Sequence, residues 1–472
     1  MAIAIVVITL LVLRNEAAAI PVPKTREYRA PRKATAPIFG RDTRTKKVRC
    51  LEETTVKVAD KTVTVKVAGK TVLPRQGVAD LRAVERKLTL GGQNDLASIR
   101  LGVGMQVFVT SKWKDGGVDY EHTHTTAIKR LQPYLKGHLL DPNLQWKFQL
   151  QARPGQVELM DLFLNYRFSR NLRLRAGFQK IAFTQKRTSS WKTQHLLDFA
   201  VGSRYLGTER QAGVTLHNGF KKTGHQYGVG IYTGMVARPG FGTGIARISR
   251  VPRANPSTFS DKPTKLGELH PAMSAHYAFN ARGIDNNSEH DWKRTGFRYS
   301  VGAAAYYDFR PMALRDFRGR LGLEGLVKLY GWSFRATGWA GFYSDASESL
   351  TDSRFGMAGA TFDVGYLFTS WLGVAVRYSF VRSSDSLLED SQENAVAMIN
   401  AASDDDAKAE LKKTYQDAGM VKMDSQLFFG VSVYPLGRNV KLTNELLVQP
   451  RYFDGGAHKI DMTYRFLMQA YL

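Results

Sequence analysis

The segment Leu144-Gln-Trp-Lys-Phe-Gln-Leu-Gln151 decides the fold, because apolar and polar residues alternate strictly along it. A period of two is typical of a β-strand that has one apolar face and one polar face. The same alternation recurs in Leu172–Gln179, Val374–Phe380 and Ile460–Gln469. From about residue 98 to its end, the sequence therefore predicts one strand after another.

The length and spacing of these strands favour a membrane barrel over a soluble sandwich. They run for about ten residues, whereas strands of soluble proteins most often have about five or six. Aromatic residues such as Tyr166, Trp371 and Tyr434 fall near strand ends, as in the interfacial girdles of membrane barrels. Short and long connections alternate, which matches short periplasmic turns and long outer loops. We expect an all-β fold, a transmembrane antiparallel β-barrel with an N-terminal periplasmic extension.

A strand count follows from the same alternation. Tight turns are predicted at 139–142, 169–170, 331–332, 369–370 and 437–438, and long outer loops at 109–125, 181–209 and 384–423. One more strand near 270–280 is needed to keep the direction of successive strands consistent. The total is about sixteen, and even numbers are usual for bacterial single-chain barrels. The predicted strands lie near 98–108, 126–138, 143–152, 157–168, 171–180, 210–219, 224–234, 270–280, 295–309, 319–330, 333–344, 355–368, 371–383, 424–436, 439–451 and 458–472.

The residues before the barrel form a separate region. Residues 1–19 are predicted to be a signal peptide, with an apolar core over 2–13 and the small residues Ala17-Ala-Ala19 before the cleavage site. Residues 20–94 are predicted to be a basic disordered arm with a short β and linker segment. The near-repeat of residues 55–63 and 64–72 predicts a hairpin within it, and the barrel follows over residues 95–472.

Composition and motifs exclude several classes of function. Lys and Arg total 67 against 42 Asp and Glu, a net charge of +25 that attracts anions of any kind. The single cysteine, Cys50, allows no intramolecular disulfide. We find no phosphate-binding loop, nucleophile elbow or nucleic-acid motif, so no enzyme, cofactor or nucleic-acid partner is expected. The pair His122 and His124 has no third ligand in sequence, so no metal site is predicted either.

Basic residues dominate the predicted lumen face of the second to fifth strands, where Asp161 is the only acid placed inward. A column of such groups lets an anion step from site to site, or it simply keeps a wide lumen hydrated. On later strands this face carries Arg298, Arg335, Arg377, Lys441 and Arg465, with the acids Asp363, Glu445 and Asp461. The predicted basic ladder consists of Arg130, Lys136, Lys147, Arg153, Arg167, Arg173, Arg175 and Lys180.

The connection over residues 181–209 is predicted to fold inward and narrow the lumen. It and the start of the next strand carry the candidate anion-binding residues Lys186, Arg187, Lys192, Arg204 and Arg210, together with several Ser and Thr hydroxyls. Arginine suits this role because its planar fork bonds oxyanions in pairs. The alternative is an external loop that touches only water.

The order of segments around this loop resembles the phosphate-selective porin O and P family. The similar segments are Asp161-Leu-Phe-Leu-Asn-Tyr-Arg-Phe168, Arg175-Ala-Gly-Phe-Gln-Lys-Ile-Ala-Phe-Thr184 and Glu209-Arg-Gln-Ala-Gly-Val214. The chain departs from the family pattern in the order of Phe178 and Gln179 and in Ala182, which replaces a proline. The resemblance implies a trimer of sixteen-stranded barrels with a basic constriction and phosphate as solute.

The leading hypothesis is an integral outer-membrane porin, embedded in outer-membrane lipid, that passes phosphate or related small oxyanions. A second hypothesis is a structural or adhesive surface barrel with a plugged lumen, in which the long outer loops carry the function. A third, a soluble basic β-protein that binds nucleic acid, has no motif in its support.

Overall fold

The structure is a computed structural model, and within it two units are distinguished, residues 1–75 and residues 76–472. The predicted signal peptide, Cys50 and most of the basic arm lie outside the residues that the structure describes. The described residues are 51–58, 61–68, 89–91, 96–115, 120–208, 210–220, 224–233, 271–309, 317–344, 353–386, 388–389, 396, 399–400, 404–412, 421–453, 456 and 458–471.

The first unit contains a β-hairpin. Strand β1 (Leu51–Val58) pairs antiparallel with β2 (Lys61–Ala68), and Thr55 lies opposite Thr64. β1 ends within the first copy of the near-repeat, and β2 begins at the end of the first copy and continues into the second. The alternation of Val with Lys or Thr predicts such strands.

The second unit is a closed antiparallel barrel in which each strand pairs with the next along the chain and the last, β19, closes on β4. A two-residue strand, β3 (Thr89–Leu90), adds a short pairing to β4. The barrel wall consists of sixteen strands: β4 (Ala97–Asp115), β5 (Tyr120–Leu139), β6 (Asp141–Arg153), β7 (Gln156–Arg167), β8 (Arg173–Lys180), β9 (Arg210–His217), β10 (Gly224–Tyr232), β11 (Ala272–Asn280), β12 (Arg298–Asp308), β13 (Phe317–Leu329), β14 (Trp332–Ser344), β15 (Ser353–Leu367), β16 (Leu372–Ser383), β17 (Val421–Val433), β18 (Val440–Phe453) and β19 (His458–Tyr471).

The predicted number of strands is confirmed, and every predicted strand overlaps one of these sixteen. The prediction of a long outer loop at 109–125 is wrong. β4 and β5 continue through most of it, and Thr110 lies opposite Thr125. Residues 109–115 include Val109, Thr110 and Trp113, and residues 120–125 include Thr123 and Thr125, which are residue types that favour extended strands.

Side chains on the wall alternate between an apolar exterior and a polar interior. On β12, Val301, Ala303 and Ala305 are exposed on the outside, whereas Ser300 and Arg298 are buried on the inside. Large apolar residues such as Leu323 are exposed on other strands as well. A soluble sandwich would have the opposite arrangement, so this wall is built for contact with lipid. The barrel is therefore an integral outer-membrane barrel.

Aromatic residues form a belt at the short-turn end of the barrel. Tyr166 and Phe168 have ring centroids 4.8 Å apart beside the β7–β8 turn. Trp332 and Tyr366 lie 4.5 Å apart at the neighbouring turns of β13–β14 and β15–β16. Such girdles sit at the boundary between the bilayer core and water, so they mark the position of one membrane interface.

Helices are few and short in the described part of the chain. They are α1 (Gln185–Thr188), α2 (Val201–Tyr205) and α3 (Asp405–Leu411), with 3₁₀ turns at Trp191–Thr193 and Gly437–Asn439. α3 lies in the long outer loop over residues 384–423, and Asp404 caps it by accepting from the backbone N–H of Ala407 at 2.6 Å. No described helix has the length and apolarity required to cross a bilayer.

Candidate functional site

The connection between β8 and β9 folds into the barrel and reaches the opposite wall. Arg377 on β16, halfway round the barrel, donates to the backbone carbonyl of Asp198 at 2.6 Å. Lys441 on β18 donates to the carbonyls of Gln194 and His195 at 3.0 and 2.6 Å. We call residues 181–208 the constriction loop.

A second segment folds into the lumen from the opposite end of the barrel. It is the connection between β11 and β12, residues 281–297, which we call the lower loop. Its Asn287 accepts through the backbone carbonyl from the hydroxyl of Thr193 at 2.6 Å, and the backbone N–H of Glu289 donates to the carbonyl of Thr193 at 2.9 Å. Sequence analysis missed this loop. Its signal is a long connection at the end where the other turns are tight.

Four buried charges join the two loops to the wall. Lys186 of the constriction loop pairs with Glu289 of the lower loop and, at 2.9 Å, with Asp363 on β15. Arg377 pairs with both carboxylates. All four side chains are almost inaccessible to solvent, with Lys186 0% exposed. We call this group the buried ion cluster.

The prediction that Lys186 is an anion-binding residue of the pore therefore needs correction. Its ammonium group already has two carboxylate partners and no contact with open space. A buried lysine that is paired with two carboxylates stabilises the structure, and its ammonium group is not available to a passing solute. Sequence alone cannot show this, because Asp363 is 177 residues away along the chain.

The two loops leave a cavity of about 520 Å³ against the wall formed by β5 to β9. Among the described residues that line it, five are basic and one, Asp161, is acidic. All five basic residues belong to the predicted set, which the fold thus brings together from three strands. They are Lys147, Arg173, Arg175, Lys180 and Arg210.

Three of these five cations have partners in the protein. Asp161 bonds Lys147 at 2.5 Å and Arg210 at 2.7 Å. Lys180 donates to the backbone carbonyls of Thr188 and Ser189, at 3.0 and 2.8 Å, and so fixes the start of the constriction loop. These three groups keep the cavity positive. The charges of Lys147 and Arg210 are partly neutralised by Asp161, and the ammonium group of Lys180 is hydrogen-bonded to the loop backbone.

The guanidinium groups of Arg173 and Arg175 differ from the rest. Their Nε atoms are buried and have no hydrogen-bond partner within the described part of the chain, where neither residue forms an ion pair. Both lie on β8 and point to the same face because they are two residues apart. The guanidinium carbon of Arg175 lies 4.4 Å from the ring centroid of Phe163 and 5.3 Å from that of Phe220. These two guanidinium groups therefore each keep a buried N–H that no described residue accepts.

The other predicted residues of the constriction loop hold its shape. Arg187 donates to the carbonyl of Thr208 at 2.8 Å and stacks over Phe199. Arg204 pairs with Asp198 at 2.8 Å. The ammonium group of Lys192 lies 4.4 Å from the ring centroid of Tyr471, and Lys192 is not among the described residues that line the cavity.

The remaining ladder residues are spread along the wall. Arg130 lies 5.7 Å from the Trp191 ring, and Lys136 lies opposite Lys147 on the neighbouring strand. Arg167 lies opposite Arg173 in the β7–β8 register and so on the lumen face as predicted, but it is exposed beside the β7–β8 turn and does not line the cavity. Arg153 pairs with Glu158 at 2.9 Å.

A second charge cluster surrounds Asp198, which accepts from Lys129 at 2.7 Å and lies 3.5 Å from Arg465. Sequence analysis missed Lys129. An irregularity in the β4–β5 register at Lys129 lets both Lys129 and Arg130 reach the interior. No cluster that could hold a metal is found among the described residues. His122 stacks instead on Trp113, with ring centroids 4.9 Å apart.

Comparison with known proteins yields no family model and no curated relative that matches the chain. Among solved structures it is similar to the outer membrane channel DcaP of Acinetobacter baumannii, with 13% identity, a TM-score of 0.48 and coverage of 80% of this chain and 97% of that one. It is also similar to an anion-selective porin from Comamonas acidovorans, with 9% identity, a TM-score of 0.49 and coverage of 80% and 100%.

A third similar structure is Pseudomonas putida OprB, with 11% identity, a TM-score of 0.48 and coverage of 79% and 94%. These likenesses concern the fold alone. The classification that follows rests on three features of the chain: its sixteen strands, its apolar exterior and the loop folded into its polar interior. This is a porin-like barrel.

Proposed function

We propose that the protein is an outer-membrane porin with an anion-preferring passage for phosphate or related small oxyanions. One observation carries this proposal. The described lining of the cavity beside the constriction loop combines five cations with a single carboxylate, and two of its guanidinium groups have no acidic partner among the described residues.

The mechanism is electrodiffusion past a local binding site. A passing anion must exchange part of its hydration shell for donors that bind it well enough to admit it and weakly enough to release it. Arg173 and Arg175 offer such donors, while Lys147, Lys180 and Arg210 raise the local positive potential. A cation meets the same potential as a barrier.

The alternative of a structural or adhesive barrel keeps one observation in its favour. The constriction and lower loops fill the side of the lumen next to β14–β18, where Trp339, Phe428 and Leu447 are buried. A fully plugged barrel passes no steady current, so conductance separates the two functions.

The test is the reversal potential of the purified protein in planar bilayers under a KCl gradient. We expect anion-selective steps and a clear loss of anion selectivity when Arg173→Gln and Arg175→Gln are combined. The control is Arg170→Gln, which removes one positive charge from an exposed turn residue and is compared with the single variants Arg173→Gln and Arg175→Gln. Absence of conductance, or steps selective for cations, would reject the proposal.

As part of this proposal we infer a homotrimer in the outer membrane. The support is the resemblance of residues 157–215 to the phosphate-selective porin family. Chemical cross-linking in native membranes tests it, since a monomer would give no cross-linked species of three chains.

A further inference from the structure

The cavity that holds the guanidinium groups of Arg173 and Arg175 also carries aromatic faces. Phe163 on β7, Trp191 of the constriction loop and Phe220 in the β9–β10 turn all line it. His217 stacks on Phe220 with ring centroids 4.6 Å apart and planes 8° from parallel. Charge and flat apolar surface are therefore presented side by side to whatever enters.

This combination is unnecessary for a small inorganic anion. A phosphate ion is surrounded by oxygen atoms on all sides, and each loses hydration when it meets an apolar wall. The rings of Phe163 and Phe220 offer no donor to replace that water. The cavity's volume of about 520 Å³ falls in the range of pockets that enclose small organic ligands, about 300–1,000 Å³.

The position of Arg175 strengthens the argument. Its guanidinium carbon lies 4.4 Å from the ring centroid of Phe163 and 5.3 Å from that of Phe220. Stacked rings hold a guanidinium in a fixed plane and leave its N–H edge for a planar carboxylate, which it can bond through two parallel hydrogen bonds. An anion with one charged end and one apolar face satisfies both parts of the lining.

We propose that this cavity is a transit site for small organic carboxylates whose body carries a flat apolar face. The carboxylate meets Arg173 and Arg175, and the apolar body lies against Phe163, Phe220 or Trp191. This inference rests on the proposed anion channel and names the class of solute that its binding site prefers.

The test uses three anions as blockers of the chloride current through the purified protein at pH 7.5, where the carboxylates are ionised. Benzoate carries a flat apolar ring, acetate lacks it, and phosphate is the inorganic reference. Since aromatic contacts contribute about 0.5–1.5 kcal/mol, we expect half-block by benzoate at a concentration about twofold to twelvefold lower than by acetate. Phosphate should block less tightly than benzoate.

Variants locate the effect. Phe163→Leu and Phe220→Leu should each bring the ratio of the acetate and benzoate half-block concentrations towards one. The matched control is Phe362→Leu, which changes an exposed ring on the outer wall and should keep the wild-type ratio. Two cavity variants are used so that poor folding of one leaves the other to be measured.

The outcomes separate this inference from the proposed function. Anion-selective current that benzoate blocks no better than acetate or phosphate would overturn the preference for organic carboxylates and leave the anion channel standing. A ratio unchanged in both Phe variants would overturn the aromatic site. Cation-selective current, or none, would overturn the channel itself.

Discussion

At the residue scale, single irregularities decide which charges enter the lumen. Strict alternation along β7 places Asp161 inward and Glu158 outward. The register between β6 and β7 shifts near Met160, so that both acids face the interior, and Glu158 pairs with Arg153. A bulge adds one residue to one strand and reverses every side chain beyond it. The prediction that Asp161 is the only inward acid there is therefore wrong.

Asp161 remains the single carboxylate among the described residues that line the cavity, and this gives a prediction with a definite sign. Asp161→Asn removes one negative charge and releases Lys147 and Arg210 from their shared partner. We expect the ratio of anion to cation permeability to rise, because the local potential becomes more positive. Reversal potentials at low and high salt measure it, and the rise should shrink at high salt.

The control for this change is Glu121→Gln, which removes an exposed carboxylate beside Lys114 near the start of β5. Equal shifts in the two variants would show that overall charge, and not the cavity, sets selectivity. A fall in anion preference after Asp161→Asn would contradict the assigned role.

At the scale of elements, glycines on the inner wall make room for the constriction loop. A methyl group added at Gly365 on β15 would collide with the ring of His195, and one added at Gly430 on β17 would collide with Leu196. A residue without a side chain lets the loop approach the wall closely. The loop therefore packs closely against β15 and β17, whereas a cavity remains between it and β5–β9.

Gly365→Val should displace the loop. The ring of His195 is buried and bonded to Ser333 at 2.7 Å, so it cannot turn aside freely. Overpacking of this kind costs about 1–3 kcal/mol. We expect an altered single-channel conductance with more current fluctuation than in the wild type. Gly338→Val is the control, since a methyl group there meets nothing within 4 Å among the described residues. Similar currents in the two variants would contradict close packing of the loop against Gly365.

At the scale of the whole molecule, the barrel is held by its closed set of strand pairings and by lipid contact. Because the exterior is apolar, a charged residue placed there should destabilise the barrel more the deeper it lies in the bilayer. Leu323 lies near the middle of β13 and is 68% exposed, whereas Val157, also 68% exposed, lies beside the β6–β7 turn.

Leu323→Arg should lower the free energy of unfolding in lipid vesicles by about 2–4 kcal/mol, and Val157→Arg by about 0–1 kcal/mol. Denaturant titration followed by tryptophan fluorescence measures both. Equal losses would mean that these two positions lie at the same depth, which would place the membrane differently on the wall.

The strand number, the direction of most side chains and the basic character of the interior could be predicted from the sequence. Alternation is a local property, and the Leu144–Gln151 segment already contains it. Five of the predicted basic residues do meet in one cavity.

Only the tertiary structure decided what each charge does. Lys186 and Arg175 are both basic residues that the sequence predicts to bind anions in the lumen. Lys186 lies in the buried ion cluster, whereas Arg175 has a buried Nε without a partner among the described residues. The difference arises because Asp363 and Glu289 reach Lys186 from a distant strand and from the lower loop. Pairing of charges depends on how the loops fold across the lumen, and that path is set by contacts between residues far apart in the chain.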